Sequence, residues 1–403
     1  MHHELDQWLH DHATADNVWF VKRLAASDTL AGESHQAGPY VPRDFLLQVL
    51  PELNRPGAVN PDTEFGMMIA SHPDSGESRR TVRAVWYNNR NRGGTRNETR
   101  LTGWGGEDSP LLDPASTGGL VVMVWDPESR QTRCHIWICR DQAEEDFLEQ
   151  WTGTVDPGQW RVWSRQRRWL DFNQPQGPGC LAPGEIPADW RTSFPPGQQI
   201  IERAVASSPP LPHDPDKRLL VRRDCEFRIF RSVEEAAELP AVQAGFETVG
   251  EFVARAQTVL QRRKSRAGRS LELHARQVFL EAGWVENRDF QYQPATEPGK
   301  SPDFLFPTAR QYDDLDFPAK RLRMLAVKTT CKDRWRQVLN EADRIPVKHL
   351  LTLQEGISES QFREMQAARL VLVVPRPLQV RYPAAIRPQL VSLARFIEEI
   401  NRA

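Results

Sequence analysis

No stretch of these 403 residues approaches the roughly 18 consecutive apolar residues that a membrane span requires. Cysteine is scarce: the five (Cys134, Cys139, Cys180, Cys225 and Cys331) are odd in number and none falls in a C-x-x-C pair. That argues against a disulfide framework or a zinc site. The opening Met-His-His-Glu has neither a basic nor an apolar signal region, so a reducing cytoplasm is the expected location. No internal repeat is evident, and no strong charge bias either, the net charge being −2. That value hides an asymmetry, with 18 basic and 25 acidic side chains in residues 1–175 against 34 and 29 in 176–403. Neither half is basic enough on average to imply a polyanionic partner, so local clusters must make that case. What is present, 39% hydrophobic and 26% charged residues, is ordinary globular composition, and the length predicts two domains.

Residues 1–175 read as mostly β. Runs rich in β-branched and aromatic residues recur at 81–87, 119–125 and 133–139 between Gly, Pro, Asn and Asp clusters. In the last, His135 and Trp137 alternate with Cys134, Ile136 and Ile138, the pattern of a half-buried strand. The loop 87–100 (YNNRNRGGTRNETR) carries Arg90, Arg92, Arg96 and Arg100, side chains that grip phosphates and read guanine edges. A solvated hairpin tip is the plainer alternative. Residues 176–186, within a Pro- and Gly-dense stretch, read as a linker. From 187 to 403 helix and strand patterns alternate, which predicts an α/β domain with a central sheet. Its helices are expected at 198–206, 248–263 and 270–282, the last with Ser270 as N-cap and Gly283 as stop. Strands are expected at 303–306, 324–329, 349–352 and 370–374.

The chemistry concentrates in residues 301–345. Asp303 opens one strand after Pro302, and Lys328 closes the next, so neighbouring strands would bring carboxylate and ammonium to one sheet end. The acid that commonly precedes such a lysine by two residues is missing, since that position is Ala326. Glu341, on a helix expected over 332–344, is the candidate second acid, and Glu272 a further one. Oxygen ligands of this kind suit Mg2+, with Asp303 and Glu341 as the metal-binding pair. Lys332 competes with Lys328 for the active-site role, and spacing leaves that open. Upstream, Arg262, Arg263, Lys264 and Arg266 crowd one short segment before the Ser270 helix, where a DNA backbone would pass. Taken separately, each of these residues reads as an ordinary surface charge.

The strings RRKSRAGRSLELH (262–274), PDFLFP (302–307), LRMLAVKTTCKDRWRQVLNEADRI (322–345) and LTLQEG (351–356) closely resemble the EcoRII family of restriction endonucleases, as do HQAGPYVP (35–42) and YNNRNRGGTRNETR (87–100). The resemblance spans essentially the whole chain. It implies an α+β two-domain protein, with an amino-terminal β pseudobarrel that binds effector DNA and a carboxy-terminal endonuclease core around a central mixed sheet. It implies a homodimer that uses magnesium to cut both strands of DNA at CCWGG, and that needs a second site copy on the amino-terminal domain to free a blocked catalytic cleft. A cognate DNA methyltransferase is implied as the functional partner. Asp303, Lys328 and Glu341 match the family's active-site pattern, with Glu272, Lys332 and Tyr312 in support. His35, Tyr40, Arg90, Arg96, Glu98 and Arg100 fall in the segments that carry its effector-DNA contacts. Gly94 and Thr99 depart from the family, which has lysines there, implying a weaker effector grip. The rival reading is a DNA-binding regulator whose nuclease core has decayed.

Overall fold

Leu120–Trp125 is an unbroken apolar run, and every residue in it is buried. Such a strand belongs in the middle of a sheet covered on both faces. The computed structural model describes residues 3–32, 38–75, 78–129, 133–166, 181–207 and 213–402. Among them the first unit holds seven strands: β1 (Val18–Arg23), β2 (Asp62–Ile69), β3 (Arg79–Tyr87), β4 (Glu98–Thr102), β5 (Leu120–Trp125), β6 (Cys134–Ile138) and β7 (Trp160–Ser164). They form one curled sheet in the order β4-β3-β2-β6-β5-β1-β7, antiparallel except where β2 meets β6. This is the β pseudobarrel the sequence implied.

Period-2 alternation divides the strands between two cores. Val18 and Phe20 pack with Phe45, Phe65 and Trp125, while Trp19 and Val21 pack with Leu5, Trp8 and Trp137. The second core is closed by α1 (His3–His12) and α3 (Gln142–Thr152), the first by α2 (Arg43–Val49). The half-buried expectation for 134–138 is therefore corrected: Ile136 and Trp137 are both buried, because helices cover each face.

The chain divides into two compact units, the first made of Met1–Asn173 with Gln354–Arg363 and Val380–Pro388, the second of Gln174–Leu353, Glu364–Gln379 and Gln389–Ala403. Two segments of the expected catalytic domain thus group with the amino-terminal unit. Within that unit the Ala26 amide donates to the Glu355 carbonyl at 2.8 Å, and the Tyr382 hydroxyl to the Gln354 carbonyl at 2.8 Å.

In the second unit a mixed sheet runs β12-β11-β10-β9-β8, from Leu370–Val373, Lys348–Leu351, Arg323–Val327, Phe304–Phe306 and Gln291–Tyr292. β9 is antiparallel to β10, whereas β10, β11 and β12 are parallel. Helices α4 (Ala188–Thr192), α5 (Gly197–Ser207), α6 (Pro215–Ala244) and α7 (Val249–Glu281) precede most of the sheet. Short α8 (Ala309–Asp313) and α9 (Trp335–Val338) lie in its connections. α10 (Glu359–Ala367), α11 (Arg376–Gln379) and α12 (Leu393–Asn401) follow β11.

Two helical expectations are corrected. The helices expected at 248–263 and 270–282 are one, α7, capped by the Thr248 side chain and ended at Gly283, whose φ of +88° suits a residue without Cβ. Ser270 is not a cap; it is buried inside α7, and its hydroxyl donates to Glu226 of α6 at 3.0 Å. The basic segment stays helical because arginine and lysine are good helix formers and acids on α6 meet its arginines. Arg262 pairs with Glu238, Arg263 with Glu234 and Arg266 with Glu226, at 2.6–2.8 Å. The helix expected over 332–344 shrinks to the single turn of α9, and Glu341 lies beyond it.

Candidate active site

Antiparallel pairing sets Phe304 opposite Leu325, so the residue before β9 and the residue after β10 meet at one sheet end. The Val327 amide donates to Asp303 Oδ2 at 2.6 Å, and Lys328 Nζ approaches the same oxygen at 3.4 Å. Asp303 is buried, and its backbone carbonyl accepts from the Gln293 amide at 2.9 Å. Gln293 and Tyr292 in turn donate to Glu272 Oε2, at 3.0 and 2.9 Å. Leu271, Ala275 and Val278 press α7 into the sheet's core. That packing aims Glu272 at the Asp303 end, where burial and then the Asp303 charge raise its pKa above the usual carboxylate range.

Glu341 is strongly perturbed. Burial first, and the Asp303 charge second, push its pKa up to about 7, while Lys328 and Lys348 oppose the shift. Its Oε2 is buried without a hydrogen-bond partner. A buried carboxylate oxygen left unpaired within reach of the Asp303 charge is a costly arrangement that a cation would relieve. Among the described residues no three His, Cys, Asp or Glu side chains are grouped closely enough to hold a metal ion by themselves.

The segment carrying Glu341 is held from behind by groups that spacing alone did not reveal. Lys348 Nζ donates to the carbonyls of Glu341 and Ala342, at 2.5 and 2.6 Å, and Ala342 takes the left-handed backbone, φ +48°. The Tyr312 hydroxyl donates to Glu297 and accepts from the Arg344 amide at 3.0 Å; Glu297 also accepts from the Asp343 amide at 3.0 Å. The Arg344 guanidinium binds carbonyls of the 311–317 loop, among them Asp314 at 2.7 Å. Burial, then Glu297, raises the Tyr312 pKa to about 12. Tyr312 therefore stands behind the Glu341 segment, bonded to its backbone at Arg344. Tyr312→Phe is expected to cost about 1–2 kcal/mol of stability and about tenfold in kcat with KM little changed, read by steady-state cleavage and thermal melting.

Of the two candidate lysines, Lys328 stands against Asp303, whereas Lys332 is half-buried in the turn leading into α9. Arg262, Arg263 and Arg266 are engaged with α6 acids, while Lys264 is exposed on α7.

In the first unit the expected DNA-reading residues sit on the β3–β4 hairpin. Glu98 and Arg100 face outward on β4 and pair at 3.3 Å. The Arg90 amide donates to the Arg96 carbonyl at 2.9 Å, and the Arg96 guanidinium lies 6.0 Å from the Tyr87 ring centre. Tyr40 is exposed and shares a cleft of about 540 Å3 with Arg100, Lys22, Trp160 and Glu355. His35 lies outside the described residues. Thr99 is buried and its hydroxyl donates to the Val41 carbonyl, so that position points into the core. At Gly94 a Cβ would come within 2.6 Å of the Asn89 side chain.

Comparison with known proteins matches the chain to two family models. Residues 13–167 match the family described as restriction endonuclease EcoRII, N-terminal, and residues 230–397 match EcoRII C terminal. The chain is 42% identical over 399 residues to the type II restriction enzyme EcoRII of Escherichia coli, covering 98% of this chain and 96% of that protein. Among solved structures, metal-depleted Ecl18kI in complex with uncleaved, modified DNA covers 55% of this chain and 84% of its own, at 15% identity and a TM-score of 0.42. A second Ecl18kI complex, with uncleaved DNA, gives 17% identity and a TM-score of 0.43.

Proposed function

The chain belongs to the EcoRII family of type II restriction endonucleases, and from that premise we propose a magnesium-dependent, homodimeric deoxyribonuclease that cuts both strands of DNA at CCWGG-like sites. The observation that carries the catalytic part is the Asp303–Lys328 pair, whose charges act on both Glu272 and Glu341, with one buried Glu341 oxygen unpaired. Asp303 and Glu341 are the residues to hold the cation, which would polarise the scissile phosphate and lower the pKa of a bound water. Lys328, fixed beside Asp303, stabilises the negative charge that builds on the phosphate as the bond breaks. Tyr292 and Gln293 hold Glu272 in place as the third acid.

Regulation by a second DNA copy is the other half of the proposal. In the first unit Glu355 shares the cleft of Tyr40 and Arg100. Burial raises its pKa, while Arg381 and Lys22 draw it down. A carboxylate among cations stands where a DNA phosphate would bind, so effector DNA and the segment 354–363 compete for the cleft. Glu355→Ala is expected to tighten effector-DNA binding about fivefold to tenfold and to speed cleavage of single-site DNA. Unchanged affinity in a titration at fixed salt would remove Glu355 from the regulation. The whole reading is tested by digesting DNA of known sequence, bearing several CCWGG copies, with magnesium and mapping the ends. A protein that binds this DNA and leaves it uncut would instead be the regulator with an inactive core.

A further inference from the structure

In the commoner arrangement the second acid stands on the lysine's own strand, two residues before it, where the sheet's hydrogen bonds fix its place. That position is Ala326 here, and Glu341 comes instead from the turn between α9 and β11. A turn has no ladder of its own to hold a carboxylate in register. Yet a cation site works only when its ligands are held to a fraction of an ångström by the groups behind them. This turn is strained as well. Ala342, which follows Glu341, takes the left-handed backbone at φ +48° in spite of its Cβ. A conformation of that kind persists only where its surroundings hold it.

Lys348 supplies the hold. It opens β11, the strand between β10 and β12, and its backbone is paired there: its amide donates to the Arg369 carbonyl at 3.1 Å. The parallel register that sets His349 beside Leu325 puts the Lys348 side chain on the face of Met324 and Ala326. From that face Nζ reaches back along the chain to the carbonyls of Glu341 and Ala342, at 2.5 and 2.6 Å. The residue is only 6% exposed. Burial lowers its pKa, while Asp343, Glu297 and Glu341 draw it back up. Burying an ammonium is costly, and an apolar side chain would fill the same place at less cost. What the lysine brings is a pair of donors for two consecutive carbonyls. We propose that Lys348 is the positioning residue of the second acid: it clips the Glu341 turn to the sheet that carries Asp303 and Lys328, and so fixes where the Glu341 carboxyl stands. An ammonium is no ligand for a cation, so Lys348 acts through Glu341. This rests on the reading of Asp303 and Glu341 as the cation-holding pair.

The test uses the full-length chain bound to DNA with a non-hydrolysable linkage at the mapped cleavage position, titrated with manganese in a calorimeter. Lys348→Met is expected to weaken manganese binding about tenfold to a hundredfold, the range for groups that orient a ligand from behind. In single-turnover cleavage of ordinary DNA the half-maximal magnesium concentration should rise in parallel, while metal-free DNA binding stays unchanged. Val338→Ala, a buried position in the same segment, separates positioning from general loosening. It should lower the melting temperature and leave manganese affinity within about twofold, because its cavity does not touch the clip. Should Lys348→Met not fold, Lys348→Gln, with a single uncharged donor group, carries the same comparison. Wild-type manganese affinity in the folded Lys348 variant, with Glu341→Gln having lost it, would overturn the proposal and leave the cation reading standing. An equal loss in Val338→Ala would also overturn it, since any loosening of the turn would then suffice. Wild-type affinity in Glu341→Gln would remove the cation reading itself, and Lys348's part with it.

Discussion

Asp303→Asn is expected to lower cleavage by about 10^3- to 10^4-fold while DNA binding and the folded structure persist. The size follows from the several kcal/mol that metal-assisted charge stabilisation contributes, each 1.4 kcal/mol being tenfold in rate. The fold survives because asparagine retains an oxygen to accept the Val327 amide, now made at 2.6 Å. The substitution also removes the charge that raises Glu272 and Glu341, so both neighbours should titrate at lower pH in the variant. Single-turnover cleavage and a gel-shift titration in parallel separate this outcome from unfolding, and a variant retaining more than a tenth of wild-type activity would remove Asp303 from the chemistry.

Glu341→Gln is expected to raise stability at pH 8 while lowering cleavage at least a hundredfold. The folded pKa of Glu341 lies near 7, above its ordinary 4.5. Below pH 4.5 the carboxyl is protonated in both states and imposes no penalty. As pH rises, the unfolded chain releases the proton first, so stability falls between about 4.5 and 7 and the loss is complete above that. The full shift corresponds to about 3 kcal/mol, which partial solvation of the side chain reduces to roughly 1–2 kcal/mol. Glutamine avoids this penalty, and melting curves at pH 5 and pH 8 should show wild type and variant diverging only at the higher pH. A divalent cation competes with the same proton, so its affinity for the wild type should climb with pH up to about 7 and then level. A variant that is no more stable at pH 8 than at pH 5, relative to wild type, would show that Glu341 is ionised at no cost.

The sheet end carrying Asp303 and Lys328 was legible because a strand's period is fixed: an acid opening one run and a lysine closing the next can meet whenever the strands are antiparallel neighbours, as β9 and β10 are. Glu341 was legible as a residue and not as a place. Trp335, Val338 and Ala342 suggested a long helix, but the left-handed backbone at Ala342 and the Lys348 bonds turn the chain out of it. The 30-residue α6 went unseen because its apolar stripe is interrupted by acids, and those acids acquire meaning only against the arginines of α7. For the same reason the pairing of Arg262, Arg263 and Arg266 with acids of α6 was not legible in the basic cluster 262–266. Tyr312, marked by the resemblance alone, is bonded to Glu297 and Arg344, 15 and 32 residues away in sequence.

Cation binding at Asp303 and Glu341 is tested most directly by crystals of the chain with its DNA and manganese, read by anomalous scattering. One strong peak bonded to a carboxylate oxygen of each residue, beside Lys328 and a DNA phosphate, is the expected result. A peak elsewhere, or a DNA-filled site in which Asp303 and Glu341 share no ion, would contradict it.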